Sequence, residues 1–298
     1  MSENNVASSR PKVGLALGGG GARGYAHIGV LKTLLEHHIP IDAVAGTSMG
    51  AVIGSAYMCG LNMGKLTKLL KSLDLHDLLG VPASPLPEMV ERAASEYLFH
   101  KVHWRSGDQA KTLRLMEFYK LLTHNRSFEE LDKPFAAVAA DIDTGEEVVM
   151  DRGKIYRALA ASVALPGIHD PVLWHGRLLV DGGVVDKVPV KVAVALGADV
   201  VIAVDVSSAL STNINTSLEV IAQASAITSR ILMQTQLELM YQRLGSKLVL
   251  IQPVVTGIKT LELNRLDPPV QAGVQAAEAA LPDIRRALES ASPQSARA

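Results

Sequence analysis

Apolar residues first gather at Val13–Leu17, between Lys12 and a run of glycines, the pattern of a short buried strand. From Tyr25 to His38 they recur at Ile28, Leu31, Leu34 and Leu35, the spacing of one helix face, until Pro40 ends the run. Ile41–Ala45 repeats the strand pattern, and Met49–Met58 repeats the helix with small residues. Two strand–loop–helix units in succession predict a parallel sheet with βαβ crossovers.

Leu61–Leu131 differs. It is more charged, keeps helical periodicity, is broken by Pro82, Pro85 and Pro87, and holds no clear strand. It reads as a helical insertion or cap, or as ordinary surface helices. Strand character returns at Phe135–Ala140, followed by a hairpin from Thr144-Gly145 to Met150. A helix over Ile155–Val163 closes at Leu165-Pro166-Gly167, and Val172–Val180 reads as a hairpin turning at His175-Gly176. The apolar stretch Val188–Val206 is interrupted by Lys191, Asp199 and Asp205, which makes it a helix and a strand rather than a membrane span. A helix over Leu218–Leu244 and a strand over Lys247–Gln252 follow. The expected division is a disordered leader at 1–11, one domain over 12–290 with the insertion at 61–131, and a flexible tail at 291–298.

Composition narrows the field. The 298 residues are 48% hydrophobic, enough for a large core. A net charge of −1 gives no sign of nucleic-acid binding. Cys59, the sole cysteine, closes an apolar helical run and reads as a buried structural thiol. Ser2–Arg10 is polar and lacks the apolar stretch of a secretory signal. A cytoplasmic protein is expected, with peripheral contact at the inner membrane surface left open. Oligomeric state is also open, since Leu218–Leu244 fits either a core helix or one that pairs with a second copy.

Two glycine-rich turns carry the candidate chemistry. Gly46-Thr47-Ser48-Met49-Gly50 sits between a strand and a small-residue helix, the context in which a serine protrudes on a tight elbow as a nucleophile. Gly18–Gly24 follows the first strand and opens the first helix. Its glycines fit dinucleotide spacing, but that reading needs an acid closing the second strand, and Asp42 stands at that strand's start. No Gly-Lys-Ser/Thr follows, which excludes a Walker-type loop. Dinucleotide binding stays a minor alternative; the stronger reading is an anion cradle, in which unobstructed backbone N–H groups face a developing oxyanion. Arg23 inside this loop reads as a pin that bonds carbonyls, or as a partner for an anionic substrate group.

The serine needs a base. No histidine follows His175, and the elbow arrives early for the α/β-hydrolase order, so a histidine triad through His169, His175 or an earlier histidine stays open but poorly supported. Asp181, ending an apolar strand before Gly182-Gly183, is the candidate, against the common meaning of Asp-Gly as a plain turn. His169 and His175 read as surface or hairpin histidines, and His27 as a packing residue. No cysteine or histidine spacing suggests a metal site.

In this order, Gly19-Gly20-Gly21-Ala22-Arg23-Gly24, Gly46-Thr47-Ser48-Met49-Gly50, Ala161-Ser162-Val163-Ala164-Leu165-Pro166-Gly167 and Asp181-Gly182-Gly183 resemble the patatin-like phospholipases. Among these, the chain is most similar to bacterial single-domain members related to neuropathy target esterase. The resemblance spans roughly Val13–Val206, with Asp186 and Pro189 in keeping and Lys187 departing from an uncharged position. It implies a three-layer α/β/α sandwich around a mainly parallel sheet. It implies Ser48 as nucleophile, Asp181 as base and an oxyanion hole from Gly19, Gly20 and Gly21 with Ala22, Arg23 and Gly24. Gly46, Gly50, Gly182 and Gly183 would support the turns. The implied activity is hydrolysis of lipid esters, phospholipid or lysophospholipid, without metal or organic cofactor. Acyl transfer at the same site, and a non-catalytic lipid-binding or regulatory role, are the alternatives. Ser207–Ala298 carries no residue with an assignable role.

Overall fold

The computed structural model describes residues 10–73, 109–207, 210, 214 and 217–292. Most of the leader, the prolines of the insertion and residues 293–298 lie outside them. In chain order the elements are β1 (Val13–Leu17), α1 (Ala26–Glu36), β2 (Ala43–Thr47), α2 (Met49–Met58), α3 (Met63–Ser72), α4 (Gln109–Leu122), β3 (Phe135–Asp141) and β4 (Glu147–Met150). Then come α5 (Ile155–Ser162), β5 (Val172–Trp174), β6 (Arg177–Asp181), α6 (Val190–Ala195), β7 (Val200–Val204), α7 (Ser217–Leu244), β8 (Leu248–Ile251) and α8 (Asp267–Ser290).

The sheet order is β5-β6-β3-β2-β1-β7-β8, with β4 also paired to β3. Strands β3, β2, β1, β7 and β8 run parallel, while β4, β5 and β6 pair antiparallel. Alternation along the strands sorts the side chains into two cores. Leu15, Leu17, Val44, Ile202 and Val204 face one layer with residues of α1, α2, α5 and α8. Ala16, Ala45, Ala136, Val201 and Ala203 face the other, against α6 and against Met233, Leu237 and Met240 of α7. The result is a three-layer α/β/α sandwich.

Three features differ from the sequence expectation. A 3-10 turn over Gly21–Tyr25 precedes α1, because the glycine-rich loop tightens before the helix settles. Pro11 is buried and Arg10 pairs with Asp42 at 2.6 Å, so the leader is anchored at its end. Helix α8, which the pattern did not suggest, buries Gly273, Ala277, Leu281, Ile284 and Ala287. Its small inward residues dilute the apolar signal. They also bring backbones together: a Cβ at Gly273 would stand 2.0 Å from the Ala26 carbonyl oxygen of α1.

The described part of the insertion packs into the core rather than standing apart. Leu66 and Leu70 of α3, and Leu115, Tyr119 and Leu122 of α4, are buried in the first layer.

Candidate active site

Ser48 ends β2 and caps α2 with φ 53° and ψ −124°, a conformation that costs an L-residue on the order of 1–3 kcal/mol. Its neighbours make room. A Cβ at Gly50 would lie 2.0 Å from the Leu17 carbonyl oxygen, and one at Gly46 would lie 2.5 Å from the Ala51 Cα. The Thr47 hydroxyl donates to the Asp186 carbonyl at 2.8 Å and ties the elbow to the segment after Asp181.

Sheet register brings Asp181 to the serine. β4 occupies one edge of β3 along Ala137–Ala140. β2 pairs with Phe135–Val138 and β6 with Ala139–Asp141, so these two strands must share the opposite edge. They run toward each other and stop tip to tip, β2 at Thr47 and β6 at Asp181. The gap between the tips is bridged by Ser162, fully buried on α5. Its hydroxyl accepts the Ser48 backbone N–H at 2.9 Å and donates to the Val138 carbonyl at 2.6 Å. This is the work of the Ala161–Gly167 motif, which its sequence pattern did not reveal.

Asp181 is buried, and burial pushes its pKa up to about 6, against the lowering influence of the Ser48 hydroxyl, the Gly183 N–H and Lys187. Oδ1 accepts the Gly183 N–H at 2.8 Å. The other oxygen, Oδ2, is buried without a hydrogen-bond partner, while the Ser48 hydroxyl lies near enough to the carboxyl to lower its pKa against burial. Gly182 is needed here, since a Cβ would lie 2.4 Å from the Val138 carbonyl oxygen.

The glycine loop faces this pair. A Cβ on Gly19 would stand 3.2 Å from that of Ser48. The expected set of six donors narrows, however. The Gly19 N–H is engaged by the Lys187 carbonyl at 3.0 Å and the Ala22 N–H by the Thr260 carbonyl at 2.8 Å, while Arg23 and Gly24 belong to the 3-10 turn. Among the described residues, nothing engages the N–H groups of Gly20 and Gly21.

Arg23 is a pin. Buried at 6% exposure, its guanidinium donates to the carbonyls of Val206 and Ile258 and to the Thr260 hydroxyl at 3.1–3.3 Å. His27 braces the same loop through Nε2, which donates to the Gly18 carbonyl at 2.7 Å. Burial lowers its pKa to about 4, so it is neutral and serves as packing. His175 sits exposed at the β5–β6 turn, and His169 lines a pocket beside the serine.

That pocket, about 60 Å³, adjoins Ser48 and is walled by Tyr25, Val52, Leu70, Phe118, Tyr119 and Leu263. Part of the segment after Ser207, which carried no assignable role in the sequence, thereby gains one. Ile258 and Thr260 hold the loop, and Leu261 and Leu263 wall the pocket. These contacts are made largely by backbone carbonyls and aliphatic side chains, which leave no motif to read.

The family model described as Patatin-like phospholipase matches residues 15–194. An uncharacterized NTE family protein of Mycobacterium tuberculosis is 34% identical over 200 residues, 67% of this chain and 50% of that protein. Lysophospholipase NTE1 of Mycosarcoma maydis is 35% identical over 196 residues, 66% of this chain and 10% of that protein. The chain thus spans half the length of the first relative and a tenth of the second. Among solved structures, VipD from Legionella pneumophila aligns with a TM-score of 0.48 at 15% identity, over 95% of this chain and 67% of that one.

Proposed function

This chain belongs to the patatin-like phospholipase family, and from that premise we propose that it hydrolyses lipid carboxylic esters through Ser48 and Asp181, as a lysophospholipase or phospholipase A. The observation that carries this reading is the meeting of the β2 and β6 tips, which sets a strained serine against a half-engaged buried carboxylate. Ser48 attacks the ester carbonyl while Asp181 takes the hydroxyl proton. The Gly20 and Gly21 N–H groups stabilise the oxyanion, each donor being worth about 3 kcal/mol of barrier. The tetrahedral adduct collapses, and the departing alcohol leaves with the proton from Asp181. Water then attacks the acyl-serine, passes a proton to Asp181, and the fatty acid departs as the serine recovers its hydrogen. A base with a pKa of about 6 is ionised at neutral pH and still basic enough to accept this proton.

The apolar pocket beside Ser48 takes the acyl chain. Its present volume is that of about two waters, so a fatty chain enters only as Leu70 on α3 and Phe118 on α4 turn aside. The substrate arrives from a lipid surface, which α7 meets through the exposed Val220, Ile221, Ile227 and Ile231. Co-flotation with anionic or zwitterionic liposomes tests that contact, and failure on both removes it.

The primary test is intact mass after treatment with a lipid-like fluorophosphonate. One adduct is expected on the wild type, none on Ser48→Ala and slow labelling on Asp181→Asn. Ester turnover by Ser48→Ala should fall at least ~10⁴-fold. Folded wild-type protein that takes no adduct and cleaves no ester would overturn the reading.

A further inference from the structure

The apolar pocket beside Ser48 holds one group that neither the packing nor the proposed chemistry uses. Tyr119 of α4 is only 3% exposed and lines the cavity together with Ser48. Its backbone is held twice, because the Tyr119 carbonyl accepts both the Thr123 hydroxyl at 2.7 Å and the Thr123 N–H at 2.9 Å. Its ring packs beside that of Phe118, with centroids 5.6 Å apart. A ring alone would fill this wall, as Phe118 does next to it. Among the described residues, nothing bonds the Tyr119 hydroxyl.

The other polar groups of the wall differ. The Tyr25 hydroxyl donates to the Leu263 carbonyl at 3.2 Å, and the Thr260 hydroxyl accepts from Arg23 at 3.2 Å. Ser48 is the nucleophile of the reading above, and His169 completes the polar set. Buried tyrosine hydroxyls ordinarily find a partner, and one left dry and unbonded is destabilising. A plain hydrocarbon chain drawn into this cavity would leave Tyr119 in that state. Burial raises its pKa, and the charges of Asp181 and Tyr25 act in the same sense, so the hydroxyl keeps its proton and offers it. A phenol also accepts, so the partner that fits it best is another hydroxyl, which can do both. Ser48 and Tyr119 wall the same small cavity, so an acyl chain held at the serine meets the phenol within its first few carbons.

Resting on the hydrolase reading above, we propose that Tyr119 is a specificity residue, and that the preferred substrates are esters of fatty acids carrying a hydroxyl close to the carboxyl carbon. The chain hydroxyl accepts the phenolic O–H inside an otherwise apolar wall, the arrangement by which such pockets fix the orientation of a ligand. A site built to bond a hydroxyl discriminates against the chain that lacks it, because its own polar group is then left unpaired. Ser48 and Asp181 make and break the same bonds on either chain, so the preference belongs to binding of the acyl group.

Nitrophenyl esters of one chain length test the assignment: octanoate, the two enantiomers of 3-hydroxyoctanoate, and 8-hydroxyoctanoate. Wild-type kcat/KM should favour one 3-hydroxy enantiomer over octanoate about tenfold, mainly through KM, and should give the 8-hydroxy ester no such advantage. Tyr119→Phe keeps the ring and should bring the ratio of 3-hydroxyoctanoate to octanoate close to one. Its unfolding temperature should not fall below that of wild type, since no internal bond is lost. Equal wild-type rates on octanoate and both 3-hydroxy enantiomers overturn the assignment. So does Tyr119→Phe that lowers every ester in proportion, or an 8-hydroxy ester favoured as strongly as the 3-hydroxy one. A clear loss of thermal stability in Tyr119→Phe also overturns it, by revealing a partner within the protein. If Ser48 takes the fluorophosphonate adduct and the esters are cleaved without discrimination, the Tyr119 assignment falls and the hydrolase reading stands. If there is neither adduct nor cleavage, both fall.

Discussion

On one side of Ser48 the chain packs Tyr25, Val52, Leu70, Phe118 and Leu263 around a cavity of about 60 Å³. On the other, Arg230, Gln234 and Glu238 line an open groove of about 540 Å³. The first belongs to the layer where the larger strand side chains are buried, and the second to the layer where the strands present mostly alanine and valine. Ser48 lines the first and is absent from the second, so the two spaces are built for different contents. Desolvation and apolar burial can favour a hydrocarbon tail, whose contacts are non-directional. Charged side chains such as Arg230 and Glu238 are held at lower cost in a wet, open groove, where ion contacts are directional and easily rearranged.

The largest expected effects come from residues that belong to neither flank. Arg23→Met removes the guanidinium that holds the Val206 and Ile258 carbonyls, and should lower kcat on every ester ~10²-fold or more. Unequal losses on short and long esters would show that the loop serves one flank only. Ser162→Ala leaves the Ser48 N–H and the Val138 carbonyl without their bridge. Its kcat should drop roughly tenfold with KM steady, and Ser162→Thr should recover part of it. Steady-state kinetics on a single water-soluble ester separate this from a loss of binding.

A narrower effect isolates the apolar flank. Val52→Trp fills the pocket and should reduce kcat/KM for long-chain esters about tenfold relative to acetyl esters. Parallel losses would place the acyl chain elsewhere. The smallest effect concerns the carboxylate between the flanks. Asp181 has its pKa raised from 3.8 to about 6 by burial, so kcat/KM should climb with pH up to about 6 and then level off. The sign for stability is opposite. A raised carboxyl pKa contributes stability that is complete below the unfolded value and lost as pH rises through the folded one. Asp181→Asn should therefore unfold a few degrees above wild type at pH 7.5, a gain of about 1–3 kcal/mol, and show no gain near pH 3.5. Thermal unfolding at the two pH values decides it.

The parallel core and both turns were legible because their signals are local. Val13–Leu17 is apolar throughout, and Gly46–Gly50 is dictated by backbones that approach within a Cβ's reach. Asp181 could be proposed from its place at a strand end, but its meeting with Ser48 depends on β2 and β6 sharing one edge of β3. That is a property of pairing over more than a hundred residues, which no local pattern carries. The role of Ser162 was hidden for the same reason. The loop at 258–263 was hidden because it acts mainly through carbonyl oxygens, which every residue possesses. The engagement of the Gly19 and Ala22 amides was illegible too, since they are claimed by the Lys187 and Thr260 carbonyls from distant segments. The dilution of α8 by glycine and alanine completes the list of what periodicity missed.

The Arg23 pin also sets an order in time. Its partners Ile258 and Thr260 stand 235 and 237 residues later in the chain, a delay on the order of tens of seconds at ordinary elongation rates. A ribosome therefore releases Ser48 and Asp181 before it releases the groups at Ile258 and Thr260 that hold the glycine loop beside them. Every motif is present in the growing chain before the motif-free segment that holds Arg23, so the shape of the glycine loop is the last part of the site to be completed.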